Sequence, residues 1–207
     1  ETAEILADLP AEGSALAEAE YLNEHTLIYA GPDGIRAYDI AQEKELWKGE
    51  SATAVSISED KSTVAAVYRD EDFAVIYDAA DGQVTSRVDF GGGKQSIRIN
   101  PNFASLNENI FELNEDGTLL GVSFEDGSLE LFDLQNPEGH TAVLEGGSGY
   151  THFEGGFFRQ YFAFSASDAS KSLVSVIDAR EKRQMGGFEA EGYWGLQTDG
   201  AGICLQS

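Results

Sequence analysis

The sequence predicts an all-β chain of repeated four-stranded antiparallel units, and three observations carry that expectation. From Thr26 onward, runs rich in Val, Ile, Leu, Tyr and Phe alternate with turn residues, each run about 5–7 residues long, which is strand length and too short for a helix. Asp-Gly punctuates the chain at 33–34, 81–82, 116–117, 126–127 and 199–200. An aromatic or aliphatic residue followed by Asp returns at Tyr38-Asp39, Tyr77-Asp78, Phe132-Asp133 and Ile177-Asp178, at spacings of 39, 55 and 45 residues. Four antiparallel strands repeating every ~40–45 residues is the signature of β-propeller blades. An ordinary β-sandwich accounts for the strands and turns but does not require the aromatic–Asp mark to return.

The elements follow in chain order. Residues 1–16 form an acidic N-terminal segment, and the first 35 residues hold eight acidic side chains with no Lys or Arg. Within that segment Glu4–Leu9 is apolar enough to act as a ring-closing strand, while residues 11–20 read either as a short helix on Ala and Glu propensity or as a lead-in to an edge strand ending at Tyr21-Leu22. The propeller domain then spans 17–207, with units at 17–48, 52–90, 110–144 and 150–188 and a half-unit at 193–207. Thr63–Tyr68 and Phe73–Tyr77 are nearly continuous apolar runs, as expected of middle strands covered on both faces of their sheet. The count is about five blades. Either the N-terminal segment closes the ring, or the chain is a piece of a larger ring whose open edges invite self-association.

The residues around the first two Asp marks carry a family resemblance. Ala37-Tyr38-Asp39-Ile40-Ala41-Gln42-Glu43-Lys44-Glu45-Leu46-Trp47 is similar to the A-x-D-x-x-T-G-x-x-x-W motif of quinoprotein-like (PQQ-like) propeller repeats, with Gln42 and Glu43 in place of the Thr-Gly turn. The resemblance implies that Trp47 docks between neighbouring blades. Val75-Ile76-Tyr77-Asp78-Ala79-Ala80-Asp81-Gly82-Gln83-Val84 resembles the V-x-D-x-x-T-G-x-V segment of WD40-like and YVTN-type repeats. No unit has the Trp-Asp pair of full WD40 repeats, so the likeness is to a superfamily of propeller repeats and to no single member.

Composition narrows the function classes. Thirteen Lys and Arg stand against 37 Asp and Glu, a formal charge of -24, and so acidic a surface repels phosphate backbones and anionic headgroups. Nucleic acid is therefore not an expected partner, and no apolar run has the length for direct membrane insertion. The single Cys204 excludes an internal disulfide and a Cys-based zinc knuckle, and reads as a buried small hydrophobe. A lone cysteine without a visible signal peptide fits the cytosol, whereas the absent initiator Met and the quinoprotein-like repeat suit an extracytoplasmic domain of a longer bacterial-type protein.

Catalytic motifs do not assemble. Gly146-Gly147-Ser148-Gly149-Tyr150 begins like a nucleophile elbow but ends in Tyr, and Gly91-Gly92-Gly93-Lys94-Gln95-Ser96 lacks Walker A spacing and a following helix. His25, His140 and His152 are isolated, and the acidic turn Asp70-Glu71-Asp72 lacks the spacing of a calcium loop. No metal and no cofactor is expected. Asp39, Asp78, Asp133 and Asp178 recur once per unit, which gives them, with Trp47, a structural role; the Asp side chains are expected to accept hydrogen bonds from the turn that follows.

The connection from Gly91 to Asn109 is longer than its counterparts and brings the rare cations Lys94 and Arg98. Connections from a fourth strand to the next first strand share one propeller face, which would also carry Tyr150, His152, Tyr193 and Trp194. These six residues are the candidate contacts of a non-catalytic binding module for a protein, peptide or ligand. Two other classes stay open: a quinoprotein-like enzyme, which requires converging polar and metal-binding residues in the channel, and a sensor or envelope-assembly scaffold.

Overall fold

A computed structural model describes residues 18–31, 33–67, 71–91, 110–136, 139–147, 149–198 and 203–206. Their regular structure is entirely β. The first sheet joins β1 (Glu18–Tyr21), β2 (Thr26–Ala30), β3 (Arg36–Asp39) and β4 (Lys44–Lys48) in chain order. The second joins β5 (Ala54–Ile57), β6 (Thr63–Val67), β7 (Phe73–Asp78) and β8 (Val84–Asp89). The third consists of β9 (Phe111–Leu113), β10 (Leu119–Ser123), β11 (Leu129–Asp133) and β12 (His140–Leu144), and the fourth of β13 (His152–Phe158), β14 (Tyr161–Ser167), β15 (Lys171–Asp178) and β16 (Arg183–Glu191). A two-stranded sheet follows, β17 (Gly195–Thr198) with β18 (Ile203–Gln206). Residues Glu18–Tyr21, compatible in sequence with helix or strand, are strand. The expected closing strand at Glu4–Leu9, most of the long connection from Gly91 to Asn109 and Asp70 of the acidic turn lie outside the described residues.

Alternation within each middle strand explains the continuous apolar runs. In the second sheet Val64, Ala66, Val75 and Tyr77 point into a core shared with the first sheet, where they meet Ile28, Ala30, Ala37 and Trp47. The intervening Ala65, Val67, Ala74 and Ile76 point the other way, onto Leu113, Leu120, Val122 and Phe132 of the third sheet. The third sheet repeats the pattern, sending Leu129 and Leu131 against Phe153, Phe157, Phe162 and Phe164 of the fourth. Each inner sheet is thus apolar on both faces because a neighbour covers each of them. The outermost strands are covered on less of their length: in β4 only Trp47 is buried, and in β8 only Val88.

The returning Asp marks a recurring turn, with a bulge directly before it in the first, second and fourth sheets and at the start of β11 in the third. Each four-stranded sheet shifts register between its third and fourth strands, at Ala37/Tyr38, Ile76/Tyr77, Leu129/Glu130 and Val176/Ile177. The extra residue sits on the fourth strand, as in a β-bulge, and increases the local twist. After the third strand the Asp side chain holds the turn: Asp39 accepts the Gln42 N–H at 2.9 Å, Asp78 that of Ala80 at 2.8 Å, Asp133 that of Gln135 at 3.0 Å, and Asp178 that of Glu181 at 3.0 Å. The Glu181 N–H, helped by Gln160 and the Arg180 N–H, holds Asp178 below the ordinary carboxylate range.

Four residues after the Asp the backbone turns left-handed in three sheets: φ is 51° at Glu43, 70° at Gly82 and 54° at Lys182. Only Gly82 adopts this without a Cβ penalty. Glu43→Gly and Lys182→Gly are each expected to raise stability by about 0.5–1 kcal/mol in urea unfolding, the relief of strain outweighing the added chain entropy. A loss of stability at both positions would show that the left-handed turn is not strained.

Candidate functional site

The first strands of successive sheets stand side by side in the order β1, β5, β9, β13, β17 and form the inner wall. One polar side chain from each of the first four reaches sideways to a backbone N–H of the next. Glu18 accepts from Val55 at 2.7 Å, Ser56 from Leu113 at 2.9 Å, Glu112 from Phe157 at 3.4 Å, and Glu154 from Leu196 at 2.9 Å. Inner strands of neighbouring blades share no ladder, so these bonds satisfy backbone donors that would otherwise face the channel. None of the four is among the residues expected from sequence. The signal was present as a polar residue after an apolar one in Val55-Ser56, Phe111-Glu112 and Phe153-Glu154, but nothing marks such a residue as reaching across rather than outward.

Along this wall lies a cavity of about 440 Å3, lined by Glu18, Glu20, Glu59, Glu112 and Glu115 together with Lys61 and Arg159. Burial raises the pKa of Glu18 and of Glu20, and the Lys61 ammonium pulls that of Glu20 back. Among the described residues no group of three His, Cys, Asp or Glu is placed to hold a metal ion.

The other candidate region is the end of the fourth sheet where β13 begins and β16 finishes. His152 opens β13 opposite Ser167 and is exposed, its Nδ1 2.9 Å from Thr151 Oγ1. Tyr193 is half exposed and its hydroxyl hydrogen-bonds the Glu154 carboxylate. Trp194 is partly buried, meeting Phe188 edge-to-face at 5.7 Å while its backbone carbonyl accepts from Ser165 Oγ. Tyr150 departs from the expectation of a surface contact: at 5% exposure it belongs to the core between the third and fourth sheets, with the Lys171 ammonium 5.2 Å from its ring centroid. Its ring is drawn inward by the phenylalanines of β13 and β14, a cluster whose orientation depends on how the two sheets pack. Lys94 and Arg98 lie outside the described residues. Cys204 is exposed, contrary to the buried reading, because every described residue of β18 faces solvent.

Tyr193 adjoins Trp194 in the chain, and the Trp194 ring meets the exposed Phe188. Among the described residues, Met185, Phe188, Tyr193, Ile203 and Leu205 are exposed large apolar side chains within one stretch of the chain. Tyr193 also borders a cavity of about 330 Å3 with Glu154, Gln197 and Cys204. Among the described residues no helix is long and apolar enough to cross a membrane.

Four-stranded antiparallel sheets, packed face to face with their first strands inward, define a β-propeller. Solved structures agree. The chain superposes on a chain of a structure described as the mitotic checkpoint complex with a TM-score of 0.64, at 10% identity over 98% of this chain and 66% of that one. It superposes on the Cps50 (Swd1) β-propeller domain of Myceliophteria thermophila with a TM-score of 0.60, at 13% identity over 94% of this chain and 67% of that one. At these identities the likeness is one of fold. The chain spans about two thirds of the length of both matched chains. No protein-family model matches the sequence, and no curated protein matches it.

Proposed function

We propose that this chain is a non-catalytic propeller module that binds a protein or peptide through the loop face at the end of the fourth sheet. The observation that carries this reading is the half-exposed Tyr193 at the mouth of a cavity, next to the edge-to-face pair of Trp194 and the exposed Phe188, on a chain of net charge -24. Clustered apolar surface is costly to leave in water, and aromatic anchors beside pockets carry most of the energy in protein contacts. The partner segment that fits is a peptide with an apolar anchor next to Lys or Arg. The anchor would meet Tyr193, Trp194 and Phe188, and the cation would be drawn by Glu154, Glu189 and Glu191. His152 borders the same face, and the connection bearing Lys94 and Arg98 is included in the proposal only by the expectation that fourth-to-first-strand connections share one side of the propeller.

A displayed library of random peptides, selected on the chain, tests this. Enriched peptides should pair an aromatic or aliphatic residue with a basic one, and their binding should weaken with added salt. Tyr193→Ala should weaken it by about tenfold or more. Joint reversal of the long connection, Lys94→Glu with Arg98→Glu, should alter affinity only if that connection takes part. Peptides that bind wild type and Tyr193→Ala equally would remove this face from the function.

A further inference from the structure

The seam between the third and fourth sheets is built differently from the others. Its inner strand, β9, has only three residues, and its cross-strand bond, from the Phe157 N–H to Glu112 Oε1, is 3.4 Å where the other three are 2.7–2.9 Å. The Glu112 carboxyl lies flat on Gly156, so close that a Cβ there would come within 2.0 Å of Oε2. Glycine at 156 is thus what admits the carboxyl to the seam. The group also opens onto the inner cavity, and the charges around it are mostly of its own sign. Glu18 and Glu20 face it from β1, Glu59 and Lys61 from the turn after β5, Glu115 from beyond β9, and Arg159 from beyond β13. Lys61 stands 3.9 Å from Glu20, so its charge is shared.

We propose that the Glu112 carboxyl makes this seam proton-sensitive: neutral, it rests between β9 and β13 and receives the Phe157 N–H; ionised, it draws channel water into the seam and loosens the two strands.

Ionisation sets a stronger Phe157 bond against lost hydration and nearby carboxylates. At 3.4 Å the bond is too long to prevail. Burial accordingly pushes the Glu112 carboxyl up to about 7, the Phe157 N–H pulling it down and the Glu20 charge adding to the rise. A folded-state value above the unfolded one means that the contribution to stability is complete below about 4.5 and is lost as pH rises through about 7. The seam should therefore be tight in mild acid and loose in mild base. The neighbouring seam at Glu154 and Leu196, with its 2.9 Å bond, supplies an internal reference.

Amide hydrogen exchange on the full chain at pH 5 and pH 8, corrected for the intrinsic rate, tests the proposal. The Phe157 amide should lose at least about tenfold more protection than the Leu196 amide on going to pH 8, and Glu112→Gln should abolish that excess. The proposal is overturned if the two amides respond alike, or if the excess persists in Glu112→Gln. Should that variant fail to fold, carboxyl carbon NMR of the wild type decides instead. A Glu112 midpoint above about 6 upholds the proposal and one at an ordinary glutamate value overturns it.

Discussion

Trp47→Ala is expected to destabilise the chain by about 3–5 kcal/mol, a large share of the ~5–15 kcal/mol that holds a typical domain together. Trp47 is the one buried residue of the outer strand β4, and it crosses from the first sheet to the second. Its ring stacks on Tyr77 with centroids 5.9 Å apart and planes 18° from parallel, and its indole N–H donates to the Ala79 carbonyl at 3.0 Å. The ring also covers Gly82, where a Cβ would meet it at 2.5 Å. Truncation therefore opens a void at the seam and strands a buried carbonyl. Trp47→Phe keeps most of the apolar contact and loses the N–H, so it should cost less than alanine. Urea unfolding followed by circular dichroism measures both. A cost below about 1 kcal/mol for alanine would show that the first sheet is not anchored through Trp47.

Gly155→Ala should be at least as damaging, with a loss of about 3 kcal/mol or more and a lower yield of folded protein. Gly155 lies in β13 at φ 137°, a region that residues with a Cβ avoid. An added methyl would stand 2.1 Å from the Ala163 carbonyl oxygen and 2.7 Å from the Phe164 Cα, both backbone atoms of the paired strand, which cannot step aside as a side chain can. Gly186→Ala is the control, since a Cβ there meets nothing within 4 Å; it should change stability by no more than about 0.5 kcal/mol. Equal effects at the two positions would show that Gly155 is not strained in solution.

The glycines show how far local sequence reaches and where it stops. Gly82 is visible as the Asp81-Gly82 turn after a recurrent Asp, because a turn is written in neighbouring residues. Gly155-Gly156 reads locally as a turn dipeptide, yet both residues lie inside β13. Their need for glycine comes from Ala163, Phe164 and Glu112, the last of them on another sheet. The candidate contacts divide in the same way. His152 and Tyr193 are exposed, whereas Tyr150, equivalent to them in its loop position, is claimed by the phenylalanine core.

The all-β class, the repeat and its Asp-marked turns were legible in the chain alone, since strand length, alternation and turn chemistry act over a few residues. Three-dimensional packing was needed to establish which polar side chains cross the inner seams, which aromatics stay in water, and that a carboxyl at position 112 is pressed against Gly156. Those outcomes depend on which sheet lies beside which, and burial, desolvation and close packing between sheets are set by residues far apart in the chain.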